Sequence, residues 1–252
     1  MANGKAVTAA VIIIGNEVLS GRTVDANLPF LATALNELGV RVREARIIPD
    51  DEAVIAATVN ACRHAFDYVL TTGGIGPTHD DITAASIARA FEVPIECNAQ
   101  ALQALKQHYQ PGELNEARRK MAGIPAGATL IDNPVSKAPG FQIGNVFVLP
   151  GVPAIMRAMF DGIRDRLSGG APVLSHAIAA YATEGAIASG LAQIQARHPD
   201  VDIGSYPFVR AGRFGVSLVA RTPDRGVLAR VAEEIKALLR SLGETPIEDE
   251  EI

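Results

Sequence analysis

Residues 68–83 read YVLTTGGIGPTHDDIT, and this stretch joins the end of a buried strand to the start of a helix through a glycine-rich loop. The apolar Val69 and Leu70 lie within a predicted strand over 67–72, and apolar residues at helical spacing predict a helix over 83–91. A strand that runs through a short loop into a helix is the first half of a βαβ unit, and repeated units of this kind build a parallel sheet. The stretch therefore predicts an α/β fold.

Strands and helices alternate in the same way through the first two thirds of the chain. The predicted segments are strands over 6–14 and 40–48, helices over 27–38 and 51–64, one or two helices over 98–123, a hairpin over 141–149 that turns at Gly144-Asn145, and a helix over 153–167. The strand over 6–14 is apolar on both faces, as a central parallel strand must be. We therefore expect a doubly wound, mostly parallel sheet with helices on both faces.

A different pattern begins after Gly169-Gly170-Ala171-Pro172, a segment that we expect to be a linker with few contacts. Beyond it the predicted order is strand, helix, strand, strand, helix, over 173–182, 184–197, 201–208, 214–222 and 224–242. This order is typical of a small α+β unit of the split βαβ kind. The predicted domains are an α/β domain over 1–168, a small β-α-β-β-α domain over 173–242 and an acidic tail over 243–252.

The composition excludes several classes of protein. The chain has 252 residues, of which 48% are hydrophobic and 20% charged, and these values are typical of a folded globular protein. Removing the five acids among the last nine residues brings the net charge of −5 to zero, so the body lacks the basic character of a nucleic-acid-binding protein. Aromatic residues make up 5% and Trp is absent, which leaves few surfaces on which bases could stack. We expect the acidic tail to be a solvated, frayed end.

The two cysteines and the first apolar run of the sequence indicate the cellular compartment in which we expect the protein. Cys62 and Cys97 lack C-x-x-C spacing, which argues against a disulfide framework and against a zinc cluster. A reducing compartment fits this usage best. The apolar run over 6–14 is far shorter than the roughly 20 residues that a membrane span needs. We therefore expect a cytoplasmic protein that binds neither a membrane nor nucleic acid.

Polar loops follow three of the predicted strands. Gly15-Asn16-Glu17 comes after the first strand, Asp50 after the second, and the loop over 73–81 after the third. In an open parallel sheet, ligands bind outside the carboxyl ends of the strands. The three loops are therefore predicted to converge on one edge and to form a binding site there.

The glycine loop is the most informative of the three. Gly73, Gly74 and Gly76 let the backbone approach a ligand closely and turn its N–H groups inward, and the helix that follows adds a partial positive charge that suits phosphate. The loop is neither a P-loop nor the dinucleotide fingerprint, because the residues that complete those motifs are absent. The alternative is a plain glycine turn in which Asp80 or Asp81 caps the next helix.

Acidic residues surround this predicted phosphate site. Asp50, Asp80 and Asp81, joined by Glu17 and Asp25, would repel a phosphate unless a hard cation bridged them. Mg²⁺ is usually held by one or two carboxylates together with substrate phosphates. Such a cation would activate water or a phosphoryl oxygen. The alternative is that Asp50, Asp51 and Asp81 are plain helix caps.

Two basic residues near the motifs each allow more than one interpretation. Lys137 could neutralise charge that develops on a phosphate, and its alternative is an exposed turn lysine. His79 is predicted to be an exposed loop residue, although it could donate to a phosphate.

Five segments, taken in order, resemble one known family. They are IIIGNEVLSGRTVDAN at 12–27, IIPDD at 47–51, VLTTGGIGPTHDDIT at 69–83, APGF at 138–141 and VLPGVP at 148–153. Together they resemble the N-terminal domain of CinA, the competence/damage-inducible protein A family, within the MogA/MoaB molybdopterin-binding superfamily. The resemblance covers residues 6–168. Residues 173–242, with IGSYP at 203–207, are similar to the small domain that follows this module in CinA and in the molybdopterin-binding half of FAD synthases.

The resemblance implies two activities. MogA-type proteins adenylylate molybdopterin, and their two catalytic aspartates match Asp50 and Asp81. CinA-type and FAD-synthase-type modules are implicated in metal-dependent hydrolysis of pyrophosphates such as ADP-ribose or FAD. The Gly-Pro-Thr-x-Asp-Asp loop and the extra small domain favour hydrolysis for this chain. It departs from the CinA pattern at Ser136-Lys137, where CinA-type sequences usually have Gly-Thr, and this departure leaves the substrate open.

We therefore predict a divalent-metal-dependent pyrophosphatase that acts on a nucleoside-diphosphate-linked small molecule. A molybdopterin-adenylylating protein and a non-catalytic pterin- or nucleotide-binding module stay open as alternatives. The predicted site comprises the catalytic Asp50 and Asp81, the phosphate- or substrate-binding Gly15, Asn16, Gly73, Gly74, Gly76, Thr78, Ser136, Lys137 and Gly151, and the ligands of Mg²⁺, Mn²⁺ or Co²⁺, namely Asp50, Asp80, Asp81 and Glu17. The expected partner is a nucleotide or a pterin, molybdopterin included, and the expected assembly is a homo-oligomer, either a dimer or a trimer.

Overall fold

The computed structural model describes residues 6–248, which divide into two compact units between Gly170 and Ala171. The N–H of Gly170 donates to the carbonyl oxygen of Gly39 at 3.0 Å. A β-carbon on Gly169 would lie 2.3 Å from the carbonyl carbon of Gly39. The expectation that residues 169–172 make few contacts is therefore wrong for the first two, because glycines without side chains pack directly on another backbone.

The first unit contains one large sheet, a two-stranded ribbon and seven helices among its described residues. In chain order its elements are β1 (Val7–Ile14), α1 (Asn16–Leu19), α2 (Asn27–Glu37), β2 (Val40–Ile48), α3 (Glu52–Ala65), β3 (Tyr68–Thr72), α4 (Thr83–Ala90), β4 (Ile95–Cys97), α5 (Ala99–His108), α6 (Glu116–Lys120), β5 (Gly123–Pro125), β6 (Thr129–Ile131), β7 (Gly140–Ile143), β8 (Val146–Leu149), α7 (Pro153–Asp161) and a 3₁₀ turn (Arg164–Arg166).

The large sheet has the strand order β2-β1-β3-β8-β7-β6. The first four strands run parallel to one another, and β7 and β6 are antiparallel to their neighbours. Consecutive residues of β1 enter separate cores on opposite faces, since Ile12 shares a core with Ile87 of α4, and Ile13 shares one with Phe160 of α7. The structure therefore confirms the predicted doubly wound, mostly parallel sheet.

Most predicted boundaries in this unit lie close to the observed ones, and the differences have local causes. The predicted hairpin forms between β7 and β8, and Gly144 turns it with a φ of 56°. The helix predicted over 153–167 ends at Asp161, where Gly162, a poor helix former, follows it. The elements α1, β4, β5 and β6 were not predicted, because three or four residues are too few to show a period.

The second unit is a four-stranded antiparallel sheet with two helices. Its elements are β9 (Leu174–Ala180), α8 (Glu184–Arg197), β10 (Asp202–Arg210), β11 (Arg213–Thr222), α9 (Arg225–Ser241) and β12 (Ile247–Glu248), and the strand order is β10-β11-β9-β12. Ile187 of α8 and Val231 of α9 share one core with Leu218 of β11. This arrangement confirms the predicted smaller α+β domain. No helix within residues 6–248 is both long and apolar enough to cross a membrane.

The acidic C-terminal segment is partly ordered, which corrects the expectation of a frayed end. Ile247 and Glu248 form β12, which pairs with the edge of β9. Glu248 accepts a hydrogen bond from His176 at 2.7 Å and forms an ion pair with Lys236 at 2.6 Å. The open hydrogen-bonding groups of the edge strand and the side chains of His176 and Lys236 hold this part of the segment in place. Residues 249–252 of the predicted tail lie outside the described part of the chain.

The contacts of Glu234 give a pH-dependent prediction. Arg197 and His198 donate to Glu234 on α9 at 2.7 and 2.8 Å, and these hydrogen bonds lower the pKa of the Glu234 carboxyl below its usual 4.5. A carboxyl whose pKa is lower in the folded protein stabilises the folded state at pH values above the pKa that the same carboxyl has in the unfolded chain. This stabilisation is lost as the pH falls through the lowered pKa. Because 34% of the side chain is exposed, we expect Glu234→Gln to reduce the free energy of unfolding at pH 7 by at most about 1 kcal/mol.

Thermal unfolding between pH 3 and pH 8 measures this effect. The difference between Glu234→Gln and the parent should vanish near the acid end of the range. Glu233→Gln is the matched control, because Glu233 is 66% exposed and pairs with Lys236 on its own helix. We expect a smaller change for the control. Equal losses for both variants, or a loss that persists at pH 3, would contradict the prediction.

The boundary between the units gives a second prediction. A chain that ends at Gly170 keeps Ile163 and Leu167, two buried side chains of the core beneath α2 and α7. We expect this fragment to unfold cooperatively on its own, as judged by circular dichroism during urea titration. A fragment that ends at Gly162 loses both side chains and should be less stable by about 3 kcal/mol or more. If the longer fragment shows no cooperative transition, the first unit needs the second in order to fold.

Candidate functional site

A cleft of about 560 Å³ lies where the carboxyl ends of β1, β2, β3 and β8 meet. This volume is within the range of roughly 300–1,000 Å³ that is usual for small-molecule sites. The walls include Glu17, Thr23, Asp50, residues 73–77, Asp80, Asp81, Asn133, Ser136, Ala138 and residues 150–153. The loops after the first three strands of the sequence therefore meet at one edge, and the loop after β8 joins them.

The loop after β3 depends on glycine at two positions. Gly73 and Gly74 have φ values of 107° and 66°, in the left-handed region. A β-carbon on Gly73 would lie 2.1 Å from the carbonyl oxygen of Ile14, and one on Gly74 would lie 2.3 Å from the hydroxyl of Thr83. Thr83 anchors the loop to α4, because its N–H donates to the Gly74 carbonyl and its hydroxyl to the Gly73 carbonyl, both at 3.0 Å. The loop can lie against β1 and α4 only if both residues are glycine.

The backbone N–H groups of this loop fall into two sets. The N–H of Gly73 donates to the carbonyl oxygen of Leu149 at 3.1 Å, so it extends the pairing of β3 with β8. The N–H groups of Gly74, Ile75 and Gly76 have no hydrogen-bond acceptor among residues 6–248. These three residues are half-buried and line the cleft. Successive free N–H groups in a turn of this kind are able to bind an anion.

Asp50 connects two of the loops at the sheet edge. Its Oδ2 accepts a hydrogen bond from the N–H of Asn16 at 2.9 Å, which ties the loop after β2 to the loop after β1. The N-cap of α3 is the neighbouring Asp51, whose Oδ1 accepts from the N–H of Val54 at 2.9 Å. The helix-cap alternative is therefore right for Asp51 and wrong for Asp50. The Asp50 carboxylate lines the cleft close to Gly74.

Asp81 closes the glycine loop on its far side. Its Oδ2 accepts from the N–H of Thr78 at 2.7 Å and from the hydroxyl of Thr78 at 2.5 Å. The same oxygen lies over Gly76, where a β-carbon would come within 2.7 Å of it. Neither Asp80 nor Asp81 caps α4, because its N-cap is Ile82, which makes no side-chain capping bond. The Thr78 hydroxyl is thus used within the loop.

The electrostatic environment keeps the neighbouring Asp80 ionised. The nearby Thr78 hydroxyl, followed by the Asp80 backbone N–H and the charges of His79 and Lys120, lowers the pKa of the Asp80 carboxyl. The hydroxyl proton of Thr78 is itself donated to Asp81. His79 is almost fully exposed, as predicted.

Lys120, at the end of α6, was missed by the sequence analysis. Its ammonium donates to the carbonyl oxygens of Thr78 and Asp81 at 3.1 and 2.9 Å. The lysine therefore holds the glycine loop and places a positive charge beside two carboxylates. The sequence signal was the basic run Arg118, Arg119 and Lys120, which does not show which of the three faces the loop, 39 residues earlier in the chain.

The buried Asn133 shapes another wall of the cleft. Its Nδ2 donates to the Ser136 hydroxyl at 2.7 Å and to the Ala138 carbonyl at 2.8 Å, and its Oδ1 accepts from the N–H groups of Val135 and Ser136. This network fixes the turn before β7. Ser136 and Ala138 line the cleft, whereas Lys137 between them, with a φ of 60°, does not.

The structure divides the predicted site residues into two groups. Those that line the cleft are Glu17, Asp50, Gly73, Gly74, Gly76, Asp80, Asp81, Ser136 and Gly151. Those that do not are Gly15, Asn16, Thr78 and Lys137. Within residues 6–248, no three His, Cys, Asp or Glu side chains are grouped so that they could hold a metal ion by themselves. The roles of all these residues in binding or catalysis stay predictions.

An apolar slot lies on the other side of the glycine loop. It has a volume of about 120 Å³ and shares residues 74–76, Asp81 and Met121 with the cleft. Its remaining walls are mostly apolar, and they include Ile82, Ala85, Ile95, Ile124 and Phe141, with Lys120 at the side. The glycine loop therefore lies between this apolar slot and the larger cleft that carries the carboxylates.

Several known proteins are similar to this chain. A protein of Archaeoglobus fulgidus is 38% identical over 197 residues, which cover 78% of this chain and 84% of that protein. A probable FAD synthase of Caenorhabditis elegans is 33% identical over 261 residues, which cover 92% of this chain and 50% of the FAD synthase. The crystal structure of CinA from Thermoplasma acidophilum, a protein of unknown function, superposes with a TM-score of 0.61 at 36% identity and covers 64% of this chain and 98% of that one.

Two family models match the two units in turn. Residues 10–169 match the family described as a probable molybdopterin binding domain, and residues 172–245 match the FAD synthase middle domain. The resemblance inferred from the five sequence motifs is thereby confirmed. The chain belongs to the molybdopterin binding domain family, in a CinA-like form that carries the FAD synthase middle domain after it.

Proposed function

We propose that this protein is a divalent-metal-dependent pyrophosphatase that acts on a nucleoside-diphosphate-linked small molecule such as ADP-ribose or FAD. The observation that carries the proposal is that one cleft brings together the carboxylates of Asp50 and Asp81 and three loop N–H groups without an acceptor among residues 6–248. Lys120 holds the same loop from the adjoining slot. An anion site beside acidic residues is the combination that a diphosphate and a cation require together. The name of the FAD synthase relative supports a nucleotide-related activity.

The loop after β3 would bind the diphosphate. The N–H groups of Gly74, Ile75 and Gly76 would donate to phosphate oxygens, and the start of α4 adds a partial positive charge. Lys120 adds a full positive charge next to the loop. A planar ring attached to the diphosphate would enter the apolar slot beyond the loop.

The acidic residues of the site fit a hard divalent cation that is shared with the substrate. Mg²⁺ takes one or two carboxylates and completes its coordination with water and phosphate oxygens, and Mn²⁺ and Co²⁺ also accept oxygen ligands. Asp50 and Asp81 would hold the ion, with Asp80 and Glu17 nearby in the same cleft. The bound ion would polarise a phosphoryl oxygen or activate water.

Hydrolysis of the diphosphate needs a water molecule aligned with one phosphorus. The water oxygen forms a bond to that phosphorus, the bond to the bridging oxygen breaks, and two monophosphates leave. Asp50 is held by Asn16 and Asp81 by Thr78, so both carboxylates are fixed in position before a substrate arrives. Fixed acceptors of this kind orient a water and receive its proton.

A second candidate function is supported by the family description. Molybdopterin is a pterin that carries a phosphate, and the cleft with its glycine loop would bind that phosphate, either for adenylylation or for binding alone. Turnover of ADP-ribose or FAD separates the two candidates, because a pterin-binding module would leave both intact. The dimeric or trimeric assembly and the cytoplasmic location stay predictions.

The two aspartates give the sharpest prediction for this function. We expect Asp50→Asn and Asp81→Asn each to reduce metal-dependent hydrolysis of ADP-ribose by at least about a hundredfold, and the double variant to lose little more than the worse single one, because they act on one metal and one water. An asparagine oxygen still accepts from the N–H of Asn16 or Thr78, so the melting temperature should hardly change.

Asp51→Asn is the matched control for these variants. Asp51 is adjacent to Asp50 but caps α3, and Asn caps a helix about as well as Asp. Its activity and melting temperature should equal those of the parent. Stable Asp50 and Asp81 variants with parental turnover would remove both residues from the catalytic site. Losses that add in free energy would instead contradict a shared metal.

Lys120 gives a further prediction. Lys120→Met keeps the aliphatic part of the side chain and removes the ammonium that holds the loop carbonyls of Thr78 and Asp81. We expect KM for ADP-ribose to rise about tenfold or more, because a charge-assisted contact contributes about 1.5–3 kcal/mol. Lys106→Met, which removes an exposed lysine from α5, is the control and should leave KM unchanged. Equal KM values for both variants would exclude Lys120 from phosphate binding.

A further inference from the structure

A small cavity opens next to the cleft, between the end of β3 and the start of α2. Its volume is about 50 Å³, and it shares Glu17, Thr23 and Gly151 with the cleft. Its other polar walls come from Asp25, Asn27 and Thr72. Asp25 was among the acids expected beside the phosphate loop, whereas Asn27 and Thr72 were not predicted to belong to the site.

Two residues that line this cavity each carry a buried polar atom without a hydrogen-bond partner within residues 6–248. Asn27 is 4% exposed, and its Nδ2 donates to the carbonyl oxygen of Gly151 at 2.8 Å, which fixes the orientation of the amide. Its Oδ1 finds no partner among residues 6–248, and the same is true of the hydroxyl of Thr72, which is 1% exposed. Buried polar groups are normally paired, so two unpaired ones in one cavity indicate that a ligand completes them.

The chemistry of the cavity selects for hydrogen-bond donors. The Oδ1 of Asn27 can only accept, and so can the carboxylates of Asp25 and Glu17 when they are ionised. One oxygen of Asp25 already accepts from the N–H of Leu28 at 2.8 Å, which fixes the start of α2 and leaves the other oxygen for a second contact. The hydroxyl of Thr72 can either donate or accept. A group with two adjacent donors would satisfy this wall.

The size of the cavity limits what can enter it. A volume of about 50 Å³ holds only about three or four water-sized groups, which excludes a complete ring system and admits the polar edge of one. The opening toward the cleft places that edge beside a phosphate bound at the glycine loop. The ligand edge must therefore be small, rich in donors and linked to a phosphate.

We propose that the cavity between Asn27 and Thr72 is a subsite for the hydrogen-bond-donating head of the substrate, either the neighbouring hydroxyls of a ribose or the amino edge of a pterin. The inference rests on the proposed function for the phosphate half of that substrate. It assigns Asn27 and Thr72 to substrate specificity. It leaves the metal and the attacking water to Asp50 and Asp81.

Thr72→Val tests the subsite, and the same strand provides its control. Valine keeps the shape of threonine and suits a strand, and the hydroxyl it removes has no partner within the described residues, so folding should be unharmed. Thr71→Val removes a hydroxyl that is equally buried and equally unpaired from the opposite face of β3. Melting temperatures of both variants should equal or exceed that of the parent.

Titration calorimetry with three probes gives the result. The probes are ADP-ribose, 6-hydroxymethylpterin and inorganic pyrophosphate, of which the last has no donor head. We expect Thr72→Val to weaken binding of ADP-ribose or of the pterin about three- to tenfold, the loss of one hydrogen bond, and to leave pyrophosphate binding unchanged. Thr71→Val should bind all three as the parent does. A loss for ADP-ribose alone assigns the subsite to ribose hydroxyls, and a loss for the pterin alone assigns it to the amino edge.

Other outcomes overturn the inference in distinguishable ways. If pyrophosphate and ADP-ribose bind the parent, and Thr72→Val binds ADP-ribose and the pterin equally well, the subsite is wrong and the phosphate site stands. An equal loss for Thr71→Val would show a general effect of the strand and would also overturn it. If the parent binds none of the three probes, the subsite and the proposed function both fall.

Discussion

The close contact between Gly73 and the end of β1 is the constraint on which the site depends. A β-carbon at this position would lie 2.1 Å from the carbonyl oxygen of Ile14, so only glycine lets the loop after β3 lie against the neighbouring strand. Thr83 then holds the next turn of the loop through the Gly73 and Gly74 carbonyls. These two hydrogen bonds from Thr83 fix the backbone of the loop, and residues 74–76 line the cleft.

The charges around the cleft follow from the same geometry. Parallel strands end at one edge, so the residues after β1, β2 and β3 meet although they are far apart in sequence. Each carboxylate is held by a donor of a loop, Asp50 by Asn16 and Asp81 by Thr78. Lys120 reaches the same loop from α6 and balances part of the negative charge. The site therefore combines acceptors for a cation with donors for an anion.

The glycine loop also explains how one site could discriminate among ligands. The loop lies between the apolar slot and the cleft that carries the carboxylates, and the cavity near Asn27 and Thr72 adjoins the same cleft. A ligand that fills all three would be held at its phosphates, at a flat apolar part and at a donor-bearing edge. Recognition at three chemically different places restricts the substrate more than phosphate binding alone.

The fold was largely predictable because long segments repeat one period. The helix Glu184–Arg197 has the predicted bounds, since Ile187, Leu191 and Ile194 follow helical spacing. The strand Val40–Ile48 also has the predicted bounds, because Gly39 and Pro49 delimit it. Short elements carry no such signal. The strand Ile247–Glu248 forms because the edge of β9 offers it hydrogen bonds, and the acidic sequence of this segment indicated a solvated end instead.

For the site, the sequence by itself determined that the glycine loop and Asp50 lie at the carboxyl edge, because strand ends and turn residues are local features. The tertiary structure alone decided that Asp51, and not Asp50, caps α3, that Lys120 holds the loop, and that Asn27 and Thr72 share a cavity. These facts depend on contacts between side chains that lie far apart along the chain. Such contacts are set by how helices pack on the sheet, and the period of a single segment carries no information about them.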